Sequence, residues 1–401
     1  MRINKNFLSL KDSYLFTEVV ARTKICQEKN PEKKIINLGV GDVEKPLPKN
    51  IVDAIKNATE EMAYEKTFRG YSPETGYDFL KQEIIENEYK AFNFDLDEIF
   101  ISDGIAADIG NILDLFDKNN CVGICDPVYP EYLDTNIMDG REIIFLDCIA
   151  ENSFCPEPNE INKKLDLIYI CNPNNPTGTG MNKAKLQKWI DYANENQAIV
   201  LYDGAYEKFI SHGDFNNNKN DIPHSVYELD GAKQCAIEFR SFSKAAGFTG
   251  LRCGYTVVPK KLIRENTGLN KLWTRRQCTK TNGVSYIVQR GAQATFSLDG
   301  KRGCAENIKY YMGNAMLMLS SLKNLGFKVY GGQDAPYVWF EIPEDYSCWG
   351  WFDYLLNNFS IVGTPGVGFG KNGERYFRFS AFGKREDILF GMKNLAEKLS
   401  L

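Results

Sequence analysis

The chain has 401 residues, of which 43% are hydrophobic and 25% charged, and its 48 basic and 53 acidic side chains leave a formal net charge of −5. That balance belongs to a globular chain and excludes disorder, and the lack of any Lys/Arg run speaks against a basic nucleic-acid surface. A single core seldom grows past about 250–300 residues, so two domains are expected.

No run of about 18 apolar residues is present, so no membrane span is expected. The opening MRINKNFLSLKDSYLF has neither an apolar h-region nor an Arg/Ser-rich lead, which points to a cytoplasmic protein. The 11 cysteines form no C-x-x-C pair and read as free thiols. There are only two histidines, His212 and His224, both near turn-forming residues. A multi-His metal site is thereby excluded, no metal is expected, and a Ser-His-Asp triad is disfavoured. Proton transfer then falls to Lys, Tyr, Asp, Glu or Cys, or to a cofactor.

In chain order, residues 1–49 are too short to fold alone. From there β-rich runs alternate with helical patterns: Glu98–Ser102, Cys121–Cys125, Glu142–Leu146, Leu165–Cys171, Ala198–Tyr202, Cys235–Phe239 and Cys253–Val258. Between two of them KAKLQKWIDYANEN sets Leu186, Trp189, Ile190 and Ala193 on one helical face. Strands apolar on both parities predict a mostly parallel seven-stranded sheet with helices on both faces. The polar run Phe215–Asp221 reads as a surface loop. The tail changes to an α+β pattern, with strands at Phe327–Tyr330, Tyr337–Ile342 and Tyr376–Phe382. A closing helix, Arg385–Leu401, carries Ile388, Leu389, Met392, Leu395 and Leu399 on one side. The expected division is a large α/β domain over 50–300 and a smaller α+β domain built from 1–49 and 301–401. The glycine-rich Gly363–Lys371 lacks both the Walker and the dinucleotide spacing and reads as a turn near the site entrance.

In an open parallel sheet, ligands bind beyond the carboxyl ends of the strands. The residues there include Gly104, Ile105 and Ala106 at a helix start, Tyr129, Asn175, Asp203, Tyr206, Ser241, Ser243 and Lys244, with Arg252 eight residues further on. Backbone N–H groups, two hydroxyls and a guanidinium make a phosphate cradle. Tyr129 can stack on a ring, and Asp203, Asn175 and Tyr206 can anchor a heteroaromatic. With a single lysine among them, the set describes pyridoxal 5′-phosphate held as a Schiff base.

Ser241-Phe242-Ser243-Lys244 followed by Gly250-x-Arg252-x-Gly254 resembles the cofactor-lysine signature of fold-type I pyridoxal-phosphate-dependent aminotransferases. Asn175-Pro176-Thr177-Gly178 and Asp203-x-Ala205-Tyr206 resemble two further hallmarks in the same order. Over nearly the whole chain the likeness extends to the LL-diaminopimelate aminotransferase family. It is carried by Ser13–Phe16, Leu38–Asp42, Gly70–Gly76, Asp126–Pro130, Ser241–Gly250, Asn282–Ser285 and Phe377–Gly383.

The resemblance implies a homodimer with shared sites, acting on an amino acid and a 2-oxo acid. It assigns Lys244, Asp203 and Tyr206 as catalytic. Tyr71 of the second copy, Ile105, Ala106, Tyr129, Asn175, Ser241, Ser243 and Arg252 hold the cofactor. Arg378 takes the substrate α-carboxylate, a bidentate task for guanidinium. Gly41, Tyr129 and Asn175 also line the substrate's place, and Tyr14, Glu74 and Asn282 of the second copy read its distal end. One departure stands out. The family usually has Asp-Gly-Ala-Lys where this chain has Asp103-Gly104-Ile105-Ala106, so a cation that would face the distal carboxylate is missing. Transamination of another amino acid on the same fold, and cofactor binding without turnover, both stay open.

Overall fold

The structure is a computed structural model that describes residues 1–10, 15–39, 41–213 and 221–399. Seven strands form the main sheet: β1 Ile99–Ser102, β2 Cys121–Asp126, β3 Glu142–Asp147, β4 Leu167–Cys171, β5 Ile199–Asp203, β6 Ala236–Ser241 and β7 Gly254–Val257. Their spatial order is β1-β7-β6-β5-β4-β2-β3. β7 is antiparallel to both its neighbours, and the remaining pairs are parallel.

The central strands are apolar on both parities because both faces are covered. Every residue of β2, β4 and β5 is buried, whereas the edge strand β3 leaves Phe145 half exposed. The covering helices are set by local signals. In Lys183–Asn196, Asn182 caps the start by accepting the Lys185 N–H at 2.9 Å, and Gln197 ends it at φ 59°. Leu186, Trp189, Ile190 and Ala193 turn inward as their spacing requires. Each large apolar side chain buried this way contributes about 1.5–3 kcal/mol.

Some boundaries differ from the sequence pattern. Glu98 lies just before β1, where its carboxylate accepts the Asp95 and Lys260 N–H groups. Leu165 precedes β4, its N–H spent on the Tyr192 hydroxyl. β6 runs on to Ser241, which places the Ser241–Lys244 segment directly at the sheet edge. Of the expected loop Phe215–Asp221, only Asp221 is among the described residues.

A second sheet is antiparallel, with β8 Val329–Gly331, β9 Tyr337–Glu341, β10 Thr364–Pro365 and β11 Tyr376–Ser380 in the order β8-β9-β11-β10. Alternation decides its faces. Phe377 and Phe379 pack on Phe340, which leaves Arg378 on the opposite face. The early chain is tied to this sheet. Ile36–Asn37 pairs in parallel with Ile361–Val362, and the Ser380 N–H donates to the Leu38 carbonyl at 2.7 Å. Gly39 is thereby delivered beside Arg378.

The last helix spans Arg385–Lys398 and buries Ile388, Met392 and Leu395. Leu389 does not share that face. It is 49% exposed, because one residue turns the helix by about 100° and carries it off the 388–392–395 stripe. No helix among the described residues is long and apolar enough to cross a membrane.

Candidate active site

The carboxyl ends of β4, β5 and β6 open on one cavity of about 460 Å³. Of the residues expected there, Gly41, Ile105, Ala106, Tyr129, Asn175, Asp203, Tyr206, Ser241, Ser243, Lys244, Arg252 and Arg378 all line it.

One end suits an anion. Gly104, at φ +124°, precedes the helix Ile105–Asn111, and a Cβ there would sit 2.3 Å from Arg252 Nη2. Glycine is therefore what lets the guanidinium reach the helix start. Arg252 donates to the Thr249 carbonyl at 3.0 Å and pairs with no carboxylate among the described residues. Ser241 caps the next short helix, accepting the Ser243 N–H at 3.0 Å. Two hydroxyls, the backbone of a helix start and a cation with no carboxylate partner among the described residues line one cavity.

The other end holds a buried acid. Asp203 is 5% exposed, and its carboxylate accepts the Tyr132 hydroxyl at 2.5 Å and the Ala205 N–H at 2.8 Å. Burial pushes it up to about 6, against the pull of those two donors. No cation among the described residues neutralises it. A flat molecule with a phosphate at one end and a basic ring nitrogen at the other matches this pair of opposite needs.

Lys244 lines the same cavity. Its Nζ donates to the Gly41 carbonyl. Burial lowers its pKa to about 8; Asp42 works against that shift, and the Arg378 and Arg252 charges add to it. A neutral amine is therefore accessible near neutral pH. Tyr206 meets Tyr337 hydroxyl to hydroxyl at 2.9 Å, and burial holds the Tyr206 phenol well above its ordinary range. Gly41 leaves room for that pair, since a Cβ there would lie 3.0 Å from the Tyr337 hydroxyl oxygen.

Arg378 is 1% exposed. Nη1 donates to Asn175 Oδ1 at 2.6 Å, and Nη2 donates to the Gly39 carbonyl at 2.8 Å. The guanidinium carbon sits 4.5 Å from the Tyr337 ring centroid and 4.8 Å from that of Phe369. The glycine-rich segment, expected as a turn, instead begins with strand β10, whose Thr364 hydroxyl donates to the Gly39 carbonyl at 2.8 Å, and the turn after it supplies Phe369.

Three expected residues stand apart from this cavity. Tyr71 is 88% exposed, and Glu74 and Asn282 are also exposed. The two segments touch each other, because a Cβ on Gly283 would fall 2.4 Å from the Pro73 carbonyl oxygen. They form one outward surface. Tyr14 lies outside the described residues.

Other residues were not legible beforehand. Tyr132 follows Tyr129 by one helical turn, a spacing that hints at a shared face. Asp42 closes the matching stretch Leu38–Asp42 and Tyr337 opens an expected strand, but nothing local gives either residue its partner. Behind the site, the buried Arg240 donates to Glu207 at 2.8 Å and to Glu88 and Glu238 at 3.1 Å each. It thereby ties the segment after β5 to the end of β6.

The fold and this site define an aminotransferase: residues 33–394 match the family described as Aminotransferase class I and II, and the chain belongs to it. Within the family it is similar to LL-diaminopimelate aminotransferases. The protein of that name from Bacteroides fragilis is 48% identical over 99% of both chains, and that from Methanosphaera stadtmanae is 46% identical over 99% of both. The solved structure of L,L-diaminopimelate aminotransferase from Chlamydomonas reinhardtii superposes with a TM-score of 0.93 at 40% identity, covering 100% of this chain and 99% of that one.

Proposed function

We propose that the enzyme moves an amino group between LL-2,6-diaminopimelate and 2-oxoglutarate, forming LL-diaminopimelate from tetrahydrodipicolinate for lysine synthesis. The observation that carries the reading is the convergence of Lys244, Asp203 and Arg378 on one cavity in a chain so similar to proteins of that name. Pyridoxal 5′-phosphate fits the two unmet charges: Arg252 with Ser241, Ser243 and the N–H groups of Ile105 and Ala106 would take its phosphate, helped by Tyr71 of a second copy. Asp203 would face the ring nitrogen, Tyr129 the ring, and Asn175 and Tyr206 the phenolic oxygen. Bound there, the cofactor supplies an electron sink for the substrate and carries the amino group between two half-reactions.

The chain's own residues do the rest. Arg378 fixes the α-carboxylate and so orients the Cα–H bond toward Lys244. Lys244, kept largely deprotonated above about pH 8, takes the proton from Cα of the amino donor and, in the second half-reaction, delivers one to the corresponding carbon of the oxo acid. Asn175 accepts from Arg378 through Oδ1, so its amide NH₂ is the end left to donate. The far end of the substrate falls to Tyr14, Glu74 and Asn282 of a second copy, so the working unit is a homodimer. The division into 50–300 and 1–49 with 301–401 assigns Lys244 to one part and Arg378 to the other, so the site draws on both.

The test is a screen of amino donors with 2-oxoglutarate, including the diaminopimelate stereoisomers, glutamate, aspartate, lysine and aromatic amino acids. LL-diaminopimelate should be the preferred donor. Turnover of another amino acid with none of diaminopimelate would leave the reaction class and remove the substrate. Borohydride reduction and peptide mapping should place a pyridoxyl group on Lys244.

A further inference from the structure

The Asp203 carboxylate has two donors among the described residues, the Tyr132 hydroxyl and the Ala205 N–H. Tyr132 is 1% exposed and held on two faces. Its ring stacks on Tyr169 at 5.0 Å and 14°, and meets Tyr129 edge-on at 5.7 Å. Its helix starts at Pro130, whose fixed φ suits a first helical residue. With the ring held in that stack, the hydroxyl oxygen sits 2.5 Å from the Asp203 carboxylate.

We propose that Tyr132 is a positioning residue for the reaction: its hydroxyl fixes one oxygen of Asp203 and keeps that group an anion aimed at the ring nitrogen of the bound cofactor. This rests on the reading of Asp203 given above and deepens it. A phenol suits the task. It donates without adding a positive charge that would compete with the ring nitrogen. Burial, and then the Asp203 charge, raise its own pKa well above 10, so it stays a donor across the working range. The other titratable groups facing Asp203 are Tyr206, Tyr337 and Cys171, all raised by burial and therefore neutral near pH 7. None supplies a charge in place of Tyr132. Without the hydroxyl, a carboxylate already pushed up to about 6 keeps one donor.

Tyr132→Phe keeps the ring and its stacks and deletes one oxygen. In the cofactor-free protein, carboxyl NMR should show the Asp203 titration moved up by about one to two pH units, the scale of one hydrogen bond to a charge. With cofactor, transamination at neutral pH should fall by about 10- to 100-fold. N-methylated pyridoxal phosphate, whose ring charge is fixed, should restore part of the rate. Tyr169→Phe changes the same stack without touching Asp203 and should leave the titration in place. An unmoved titration in Tyr132→Phe, or an equal shift in Tyr169→Phe, overturns the proposal. Asp203→Ala separates the two readings. If that variant is inactive while Tyr132→Phe titrates and turns over like the parent, only the role of Tyr132 falls. Full activity in Asp203→Ala removes the reading of Asp203 itself.

Discussion

The hydroxyl of Tyr206 lies 2.9 Å from the hydroxyl of Tyr337, and the ring of Tyr337 lies 4.5 Å from the Arg378 guanidinium carbon. Tyr206 follows β5 of the main sheet, and Tyr337 and Arg378 belong to the second sheet. One side chain therefore touches the residue assigned to the substrate carboxylate and the residue assigned to the cofactor's phenolic oxygen. Tyr337→Phe keeps the ring over Arg378 and deletes the bond to Tyr206. A neutral hydrogen bond is worth about 0.5–1.5 kcal/mol, so kcat should fall about 2- to 10-fold with KM for the oxo acid nearly unchanged. A raised KM at constant kcat would show that the hydroxyl serves binding instead.

The amine of Lys244 sets a pH dependence. Its pKa is lowered to about 8, first by burial, and the neutral form is the nucleophile. Loading of pyridoxal phosphate onto the cofactor-free protein should therefore speed up with pH and level off above about 8. Asp42 raises the Lys244 pKa by its charge. Asp42→Asn should accordingly move the midpoint to lower pH. Stopped-flow absorbance checks both, and a midpoint near the ordinary lysine value of 10.5 would contradict the burial argument.

Asp203 should cost stability. Its carboxyl titrates at about 6 in the fold against an ordinary 3.8, so the folded state binds a proton more tightly than the unfolded one. By linkage, stability then falls as pH rises from about 4 through 6, and the penalty is complete above that. Asp203→Asn removes it. The cofactor-free variant should be more stable by up to about 3 kcal/mol at neutral pH, with the gain vanishing below about pH 4. Denaturant unfolding at the two pH values tests the sign. Such a trade of stability for function is usual at active sites.

The Arg240 cluster gives a prediction of the opposite sign. Burial works against the guanidinium, but Glu207 and its neighbours more than offset it and hold Arg240 charged. Burial likewise opposes ionisation of Glu207, yet the charges of Arg240 and Lys208 hold it at about 2. Arg240→Met would leave buried carboxylates without their partner, which costs about 3–5 kcal/mol. Because Arg240 adjoins Ser241, and Glu207 adjoins Tyr206, cofactor affinity should drop with stability. Unfolding curves and cofactor titration measure the two losses.

Much of this site was legible because its residues follow strands. Asp203, Ser241 and Lys244 come directly after apolar runs, and in a parallel sheet those ends meet. The motifs around Asn175 and Arg252 added order. The partners of these groups were not legible, since pairing is a property of packing. Nothing local marks Tyr337 as the residue that reaches Tyr206 across 131 positions, or Asp42 as the charge near Lys244. Leu389 shows the limit of pattern reading: apolar and inside a helical run, it faces solvent because the buried stripe is narrower than the pattern suggests.

The far end of the substrate carries the most exacting prediction. LL-diaminopimelate has two amino-acid ends, and Arg378 can hold only the reacting one. Discrimination must come from partners for a distal ammonium and a distal carboxylate. Glu74 is exposed on its own chain, on the surface it shares with Asn282, and is free to face another copy's cavity. A site built to bond a polar group rejects substrates that lack it, because its own buried atoms go unpaired. Glu74→Gln should therefore cut diaminopimelate turnover far more than glutamate turnover. If, as proposed, Lys244 and Glu74 of one site come from different copies, mixing Glu74→Gln with Lys244→Ala should regenerate one intact site per mixed dimer. Ala106 lines the cavity without a charge, so KM for diaminopimelate should be high and Ala106→Lys should lower it. An equal loss for both donors in Glu74→Gln, with no recovery on mixing, would make Glu74 an ordinary surface carboxylate and leave the distal end to other residues.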